Sequence, residues 1–275
     1  MAILNMTPDS FSDGGLHTPS DPTSLAETVR SFLAAGATMI DVGGQSSAPG
    51  TPEVSAEEEL SRVLPAIELI RGVPGGEQVL VSVDTYRASV AEAAVLAGAD
   101  MVNDVSAGAM DADMLRTVAR LGTTVCLMHM RGTPATMNRL ADYPGGSGGD
   151  GLLSAIAEEL LGRVAAAEAA GIRRWRIVLD PGLGFAKVGP QNIDVLRHLG
   201  ELRAWPGLRG LPWLVGSSRK SFIGHITGVR TPAERIWGTA ATVTAAVQGG
   251  ADIVRVHDVR EMAQVVTMAD AIWRY

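Results

Sequence analysis

Ala2-Ile3-Leu4-Asn5-Met6-Thr7-Pro8 decides the fold, because a short apolar run ends on a polar residue and no glycine-rich turn follows. A doubly wound dinucleotide-binding sheet places such a turn directly after its first strand. Gly182-Leu183-Gly184-Phe185 does not complete GxGxxG either, and no GxxxxGKS or GxxxxGKT loop occurs. Seven further runs resemble the first: Met39–Val42, Val79–Val83, Met101–Val102, Thr124–Met128, Arg176–Leu179, Pro212–Val215 and Asp252–Val254. Longer amphipathic stretches separate them. In the first, Leu25, Val29, Phe32 and Leu33 share a helical face, with Ser24 and Glu27 as a capping box. In the second, Ser55 and Glu58 repeat the start signal, and Pro65 predicts a kink. Further helices are expected over Arg87–Leu96, Asp111–Leu121, Leu152–Ala170, Pro190–Leu202, Ala233–Val247 and Val259–Trp273. Parallel strands need helical crossovers, and eight strand–helix units close a (β/α)8 barrel. The expected fold is therefore α/β, a single TIM-barrel domain over residues 1–275.

The composition agrees. The 275 residues are 46% hydrophobic and 19% charged, enough apolar material for one large core. A net charge of −7 argues against nucleic acid, which needs a basic face. Cys126 is the sole cysteine, so no disulfide framework forms, and its apolar neighbours suggest it fills core. No apolar run is long enough to span a membrane and no leader is visible, so a soluble, intracellular protein is expected. Gly145 to Gly151 reads as a surface loop rather than a linker. Because the first strand starts beside Met1, the chain is expected to be a domain cut from a longer polypeptide.

Barrel enzymes carry their chemistry at the carboxyl ends of the strands. Those positions here are Asn5, Asp41, Asp84, Asn103, His129, Asp180, Ser217 with Arg219 and Lys220, and Arg255 with His257. Singly, Asp84 reads as a cap, and Asn103-Asp104 and Asp180-Pro181-Gly182 read as turns. Together they divide by charge. Asp84, Asn103 and Asp180 suit a flat heterocycle bearing N–H and NH2 donors. Lys187, Lys220, Arg219, Arg255 and His257 gather positive charge for an anion, with phosphate the leading candidate. Lys187 and Lys220 are the only lysines among 23 basic residues, and an ammonium is not interchangeable with a guanidinium. Ser221, opening the next helix, adds an N-terminus that favours an anion. Asn5 and Asp41 are hard oxygen donors suited to Mg2+ held mainly by substrate phosphates. Zinc-ligand spacing and a nucleophile elbow are both missing. His129 reads as a satisfied histidine at the core edge, and Met128 pads one face of a ring.

An ordered set of motifs resembles the dihydropteroate synthase family along the whole chain. It comprises Asn5-Met6-Thr7-Pro8-Asp9-Ser10-Phe11-Ser12-Asp13-Gly14-Gly15, Asp41-Val42-Gly43-Gly44-Gln45-Ser46, Ser82-Val83-Asp84-Thr85 and Val102-Asn103-Asp104. Met128-His129-Met130-Arg131-Gly132-Thr133-Pro134, Asp180-Pro181-Gly182-Leu183-Gly184-Phe185-Ala186-Lys187, Ser218-Arg219-Lys220-Ser221 and Arg255-Val256-His257-Asp258 follow. The resemblance implies condensation of 6-hydroxymethyl-7,8-dihydropterin diphosphate with p-aminobenzoate, releasing pyrophosphate. It implies catalytic roles for Lys220, Asp84, Asp180, Arg255 and His257. The pterin would meet Asp84, Asn103, Met128, Asp180 and Lys220. The diphosphate would meet Asn5, Arg255 and His257, with Mg2+ beside Asn5. p-Aminobenzoate would lie against Phe185, Lys220, Ser221, Ser47 and Pro49, under loops Asp9–Gly15 and Ser46–Gly50. The role of Lys187 stays open, a structural salt bridge being one option.

The resemblance also implies a sulfonamide target and a homodimer, in the cytoplasm or the mitochondrion. The run from Trp237 to Trp273 looks like the fungal-type domain, which is fused to other folate-synthesis domains. One departure stands out: where the family usually reads Ser-Thr-Arg-Pro, this chain reads Ser46-Ser47-Ala48-Pro49. Either another arginine takes over, or p-aminobenzoate binds more weakly, or specificity has changed. Two rival readings are a pterin-dependent methyltransferase, which has no diphosphate to discharge, and a non-catalytic pterin-binding homologue.

Overall fold

Parallel strands and helices alternate through the computed structural model, which describes residues 1–7, 21–46, 51–143 and 150–274. The strands are β1 (Ala2–Asn5), β2 (Met39–Gly43), β3 (Leu80–Asp84), β4 (Met101–Asp104), β5 (Thr124–Met128), β6 (Ile177–Asp180), β7 (Leu214–Val215) and β8 (Ile253–Val254). The helices are α1 (Pro22–Ala34), α2 (Ala56–Gly72), α3 (Ala88–Leu96), α4 (Met114–Leu121), α5 (Asp150–Ala169), α6 (Pro190–Arg197), α7 (Leu199–Arg203), α8 (Ser221–Thr227), α9 (Ile236–Gln248) and α10 (Val259–Trp273). Strands β1 to β6 pair in sequence order, and β7 pairs with β8. Single bridges close the two seams, Leu179 to Trp213 and Ala2 to Val256. Backbone bonds Leu179 N–H to Pro212 O (2.9 Å) and Ile3 N–H to Val256 O (3.0 Å) reinforce them. The expected barrel is therefore present.

The alternation of side chains along each strand divides the interior from the shell. Facing outward, Ile40, Val42, Val81, Val83, Val102, Val125, Leu127, Ile177 and Leu179 join the helices in the main core. Facing inward, Met39, Met101, Cys126, Val178 and Leu214 form a separate apolar plug, with Met1 and Ile253 against it. Two residues beyond these plug positions on the same side stand Asp41, Asn103, Met128, Asp180, Gly216 and Arg255. One periodicity thus fills the barrel floor and places polar groups above it.

Helix starts differ in detail from the sequence expectation. The α1 cap is Asp21, whose side chain accepts from Thr23 N–H (3.0 Å), rather than the Ser24–Glu27 box. Pro22 supplies a preset φ in the first turn, so the helix begins earlier. Ser55 caps α2 as expected, accepting from Glu58 N–H at 3.1 Å. The helix α2 continues through Pro65 as one element to Gly72. The stretch expected as one helix over Pro190–Leu202 breaks at His198 into α6 and α7. Gly151 belongs to α5, while the rest of the expected loop lies largely outside the described residues.

Candidate active site at the carboxyl end of the barrel

Because all strands are parallel, their carboxyl ends surround one mouth, which holds a pocket of about 410 Å³. Asn5, Asp84, Asn103, Met128, Asp180, Phe185, Lys220, Ser221, Arg255 and His257 line it. The described residues that the resemblance assigns to the substrates and the metal are therefore in one cavity, whereas Asp41 and Lys187 do not line it. Ser47, Pro49 and most of the two covering loops lie outside the described residues.

Below the pocket, Asp41 organises the floor. It is fully buried, and its Oδ2 accepts from Arg255 Nε (2.6 Å) and Asn103 Nδ2 (3.0 Å). Asn103 thus turns its amide nitrogen toward Asp41, leaving the carbonyl oxygen as its acceptor for a ligand. Arg255 also donates to Asp84 Oδ2 at 2.8 Å. Burial pushes the Asp84 carboxyl up to about 7, with Arg255 opposing and Asp41 adding to the rise. Burial alone would lower the Arg255 pKa, but Asp41 and Asp84 raise it and keep the guanidinium charged. Asp41 Oδ2 thus faces Arg255 and Asn103 beneath the mouth, while its buried Oδ1 has no hydrogen-bond partner among the described residues.

Asp180 combines the turn and site readings. Its Oδ1 accepts from Gly182 N–H at 2.7 Å, and its second oxygen has no partner among the described residues. Burial raises its pKa against the pull of Lys220. The Lys220 ammonium donates to Leu183 O and sits 4.6 Å from the Phe185 ring centroid, a cation–π contact. Burial brings it down to about 8, with Asp180 opposing.

Without an anion in the pocket, the surroundings of His257 favour its neutral imidazole. Burial and then the Arg219 and Arg255 guanidiniums push its imidazole down to about 3. Ser218 Oγ accepts from His257 N–H at 3.1 Å and lies 3.0 Å from Nδ1. Where the serine donates to Nδ1, Nε2–H is left as the imidazole's donor. Arg219 is engaged bidentately by Asp258, at 3.1 and 2.6 Å. Its φ of +60° is left-handed, and its backbone is tied to Thr239 Oγ1 and Arg235.

Behind Asp180, Lys187 is buried without a direct carboxylate partner among the described residues. Its Nζ meets His129 Nδ1 (2.8 Å), Gly182 O (3.1 Å) and Phe185 O (3.1 Å). His129 Nε2 lies 3.0 Å from Glu159, which also takes Arg131. His129 is thus the satisfied core-edge histidine its position suggested.

Residues 1–257 match the family of pterin binding enzymes. The chain is 47% identical to a dihydropteroate synthase of Synechocystis, covering 100% of this chain and 90% of that protein. It belongs to the dihydropteroate synthase family. It is also 50% identical to the folic acid synthesis protein fol1 of Pneumocystis carinii, covering 100% of this chain but 36% of that protein. The chain therefore spans about a third of the length of this fungal relative. A crystal structure of the Yersinia pestis dihydropteroate synthase with a sulfonamide drug complex superposes with a TM-score of 0.89. Its identity is 39%, over 100% of this chain and 94% of that one.

Within this synthase-family pocket, the donor set bears on magnesium. Among the described residues no group of three His, Cys, Asp or Glu could hold a metal ion. Asn5 contributes a carboxamide from the end of β1, next to Asp84 across Gly43. Such a set fits a hard cation that takes most of its oxygens from a diphosphate. Pocket residues outside the sequence assignment are Thr7, Gln45, Val105, Met137, Ser218 and Pro232. Gln45 and Ser218 stand inside the quoted motifs, which was the available signal. Met137 and Pro232 are brought in by tertiary packing.

Proposed function

We propose that residues 1–275 form one catalytic unit that joins p-aminobenzoate to 6-hydroxymethyl-7,8-dihydropterin diphosphate. The products are 7,8-dihydropteroate, used for folate synthesis, and pyrophosphate. The observation that carries this reading is one cavity lined by Asp84, Asn103 and Asp180 together with Lys220, Arg255 and His257. The acceptors take the N–H and NH2 groups of the pterin edge, with Asp180 gripping through its second oxygen and Met128 covering a face. Asn5, the His257 Nε2–H and Arg255 receive the diphosphate; Phe185, Lys220 and Ser221 border the arylamine.

A divalent cation such as Mg2+, held by Asn5 and the diphosphate, would neutralise charge on the leaving group. The C–O bond to the diphosphate breaks with its electron pair leaving on oxygen, and the electron-rich dihydropterin stabilises the exocyclic cation. The arylamine nitrogen then forms the new C–N bond and sheds a proton. Such a substitution relies on preorganised charge rather than a strong base. When the diphosphate enters, its negative charge raises the His257 pKa toward protonation, and the imidazole then adds a cation. A homodimer is part of the proposal, from the family resemblance, and sedimentation of the protein tests it. A cytoplasmic place is likewise part of the proposal, and no described helix is long and apolar enough to cross a membrane.

The test is pyrophosphate release with both substrates and Mg2+. Release that requires p-aminobenzoate supports the synthase. Methyl transfer from a folate, or pterin binding without turnover, overturns it.

A further inference from the structure

The two lysines of this chain converge on one loop. Between β6 and Lys187, the carbonyls of Gly182 and Phe185 accept from Lys187, and that of Leu183 accepts from Lys220. The same loop carries Phe185, whose ring packs on Lys220 and faces the pocket. Its backbone is unusual. Gly182, Gly184 and Ala186 have φ of +68°, +76° and +48°, and the alanine pays a steric cost at that angle. A Cβ on Gly182 would stand 2.0 Å from His129 O, so the loop is pressed against the end of β5.

An ammonium has three donors, and Lys187 spends them on two loop carbonyls and the imidazole of His129. Since Nδ1 accepts, His129 holds its own proton on Nε2, directed at Glu159. Arg131 fixes Glu159 in turn with bonds of 2.5 and 2.9 Å. A guanidinium, with its donors in a planar fork, cannot aim three of them at one such centre. That geometry explains a lysine here in a chain that otherwise uses arginine. These bonds gather the loop onto His129, and among the described residues no carboxylate touches Lys187.

We infer that Lys187, oriented by His129 and Glu159, is a positioning residue that presets the Gly182–Phe185 loop as the wall against which the arylamine binds. The inference rests on the synthase reading above. It assigns Lys187 no contact with substrate; it acts through Phe185 and through the carbonyl that holds Lys220.

Steady-state kinetics of Lys187→Met, with each substrate varied, tests it alongside amide exchange of the loop. Losing a charge-assisted bond of this kind is worth about tenfold. The p-aminobenzoate KM should therefore rise about tenfold, the pterin diphosphate KM should stay within about twofold, and exchange at Gly184 and Phe185 should quicken. An unchanged p-aminobenzoate KM, or equal loss for both substrates, overturns the inference. If Lys187→Met does not fold, Glu159→Gln takes its place: Glu159 is half-buried at the surface end of the chain of bonds. A rise of about threefold in the p-aminobenzoate KM is expected there, and no rise overturns the inference. Should the wild-type protein form no dihydropteroate, the proposed function fails, and loop exchange in the variants alone then decides the role of Lys187.

Discussion

Asp180 and Lys220 approach the pocket from neighbouring strand ends, and each is buried enough to shift its proton affinity toward neutrality. Removing either takes away the strongest opposing charge that acts on the other. Lys220→Ala and Asp180→Ala are each expected to lower kcat/KM at least ~100-fold, the scale of one preorganised catalytic contact, measured by pyrophosphate release. The pH profile carries a sign. Burial holds Lys220 at about 8, so its ammonium is present below that value and is lost above it. The kcat/KM of the free enzyme should fall as pH rises through about 8, and a flat profile there would remove Lys220 as an essential acid or cation. At this scale the sequence was informative about identity and silent about charge. Asp84, Asn103, Asp180, Lys220 and Arg255 were legible from strand-end position and motif. That His257 is neutral and that Arg219 is committed to Asp258 follow only from burial and neighbours.

The Gly182–Lys187 segment shows what an element must satisfy to serve a site. Gly184 sits at φ +76°, and a Cβ there would lie 3.1 Å from Lys220 Cδ. Gly184→Ala therefore meets both a left-handed backbone penalty and a displaced catalytic lysine. It should lower thermal stability by about 1 kcal/mol and cut turnover more than stability alone explains. Full activity at normal stability would refute the loop's tight coupling to Lys220. Helix α2 supplies an independent check away from the pocket: Ser55→Ala should cost about 1 kcal/mol in denaturant unfolding without changing KM. The start of α2 was legible because a cap is a local arrangement. The break of α6 at His198 and the continuation of α2 past Pro65 to Gly72 were not, since packing against the barrel decides whether a helix continues.

For the whole molecule, the barrel separates an outer hydrophobic core from the inner plug of Met39, Met101, Cys126, Val178 and Leu214. Cys126 is fully buried there, and burial raises its thiol well above the usual range. A thiol reagent should label it only when the barrel opens. Its labelling rate should thus track global unfolding in denaturant, and fast labelling under native conditions would show an interior less closed than the plug implies. The sequence by itself determined the number of strand–helix units, the inward and outward sides of each strand and the polar residue at each strand end. Those depend on periodicity two and on local turn chemistry, which neighbouring residues carry. Tertiary structure alone decided that Asp41 lies beneath the mouth, which carboxylate each arginine takes, and that both lysines hold one loop. Such pairings join residues as far apart as Asp41 and Arg255, and only closure of the barrel brings them within bonding distance.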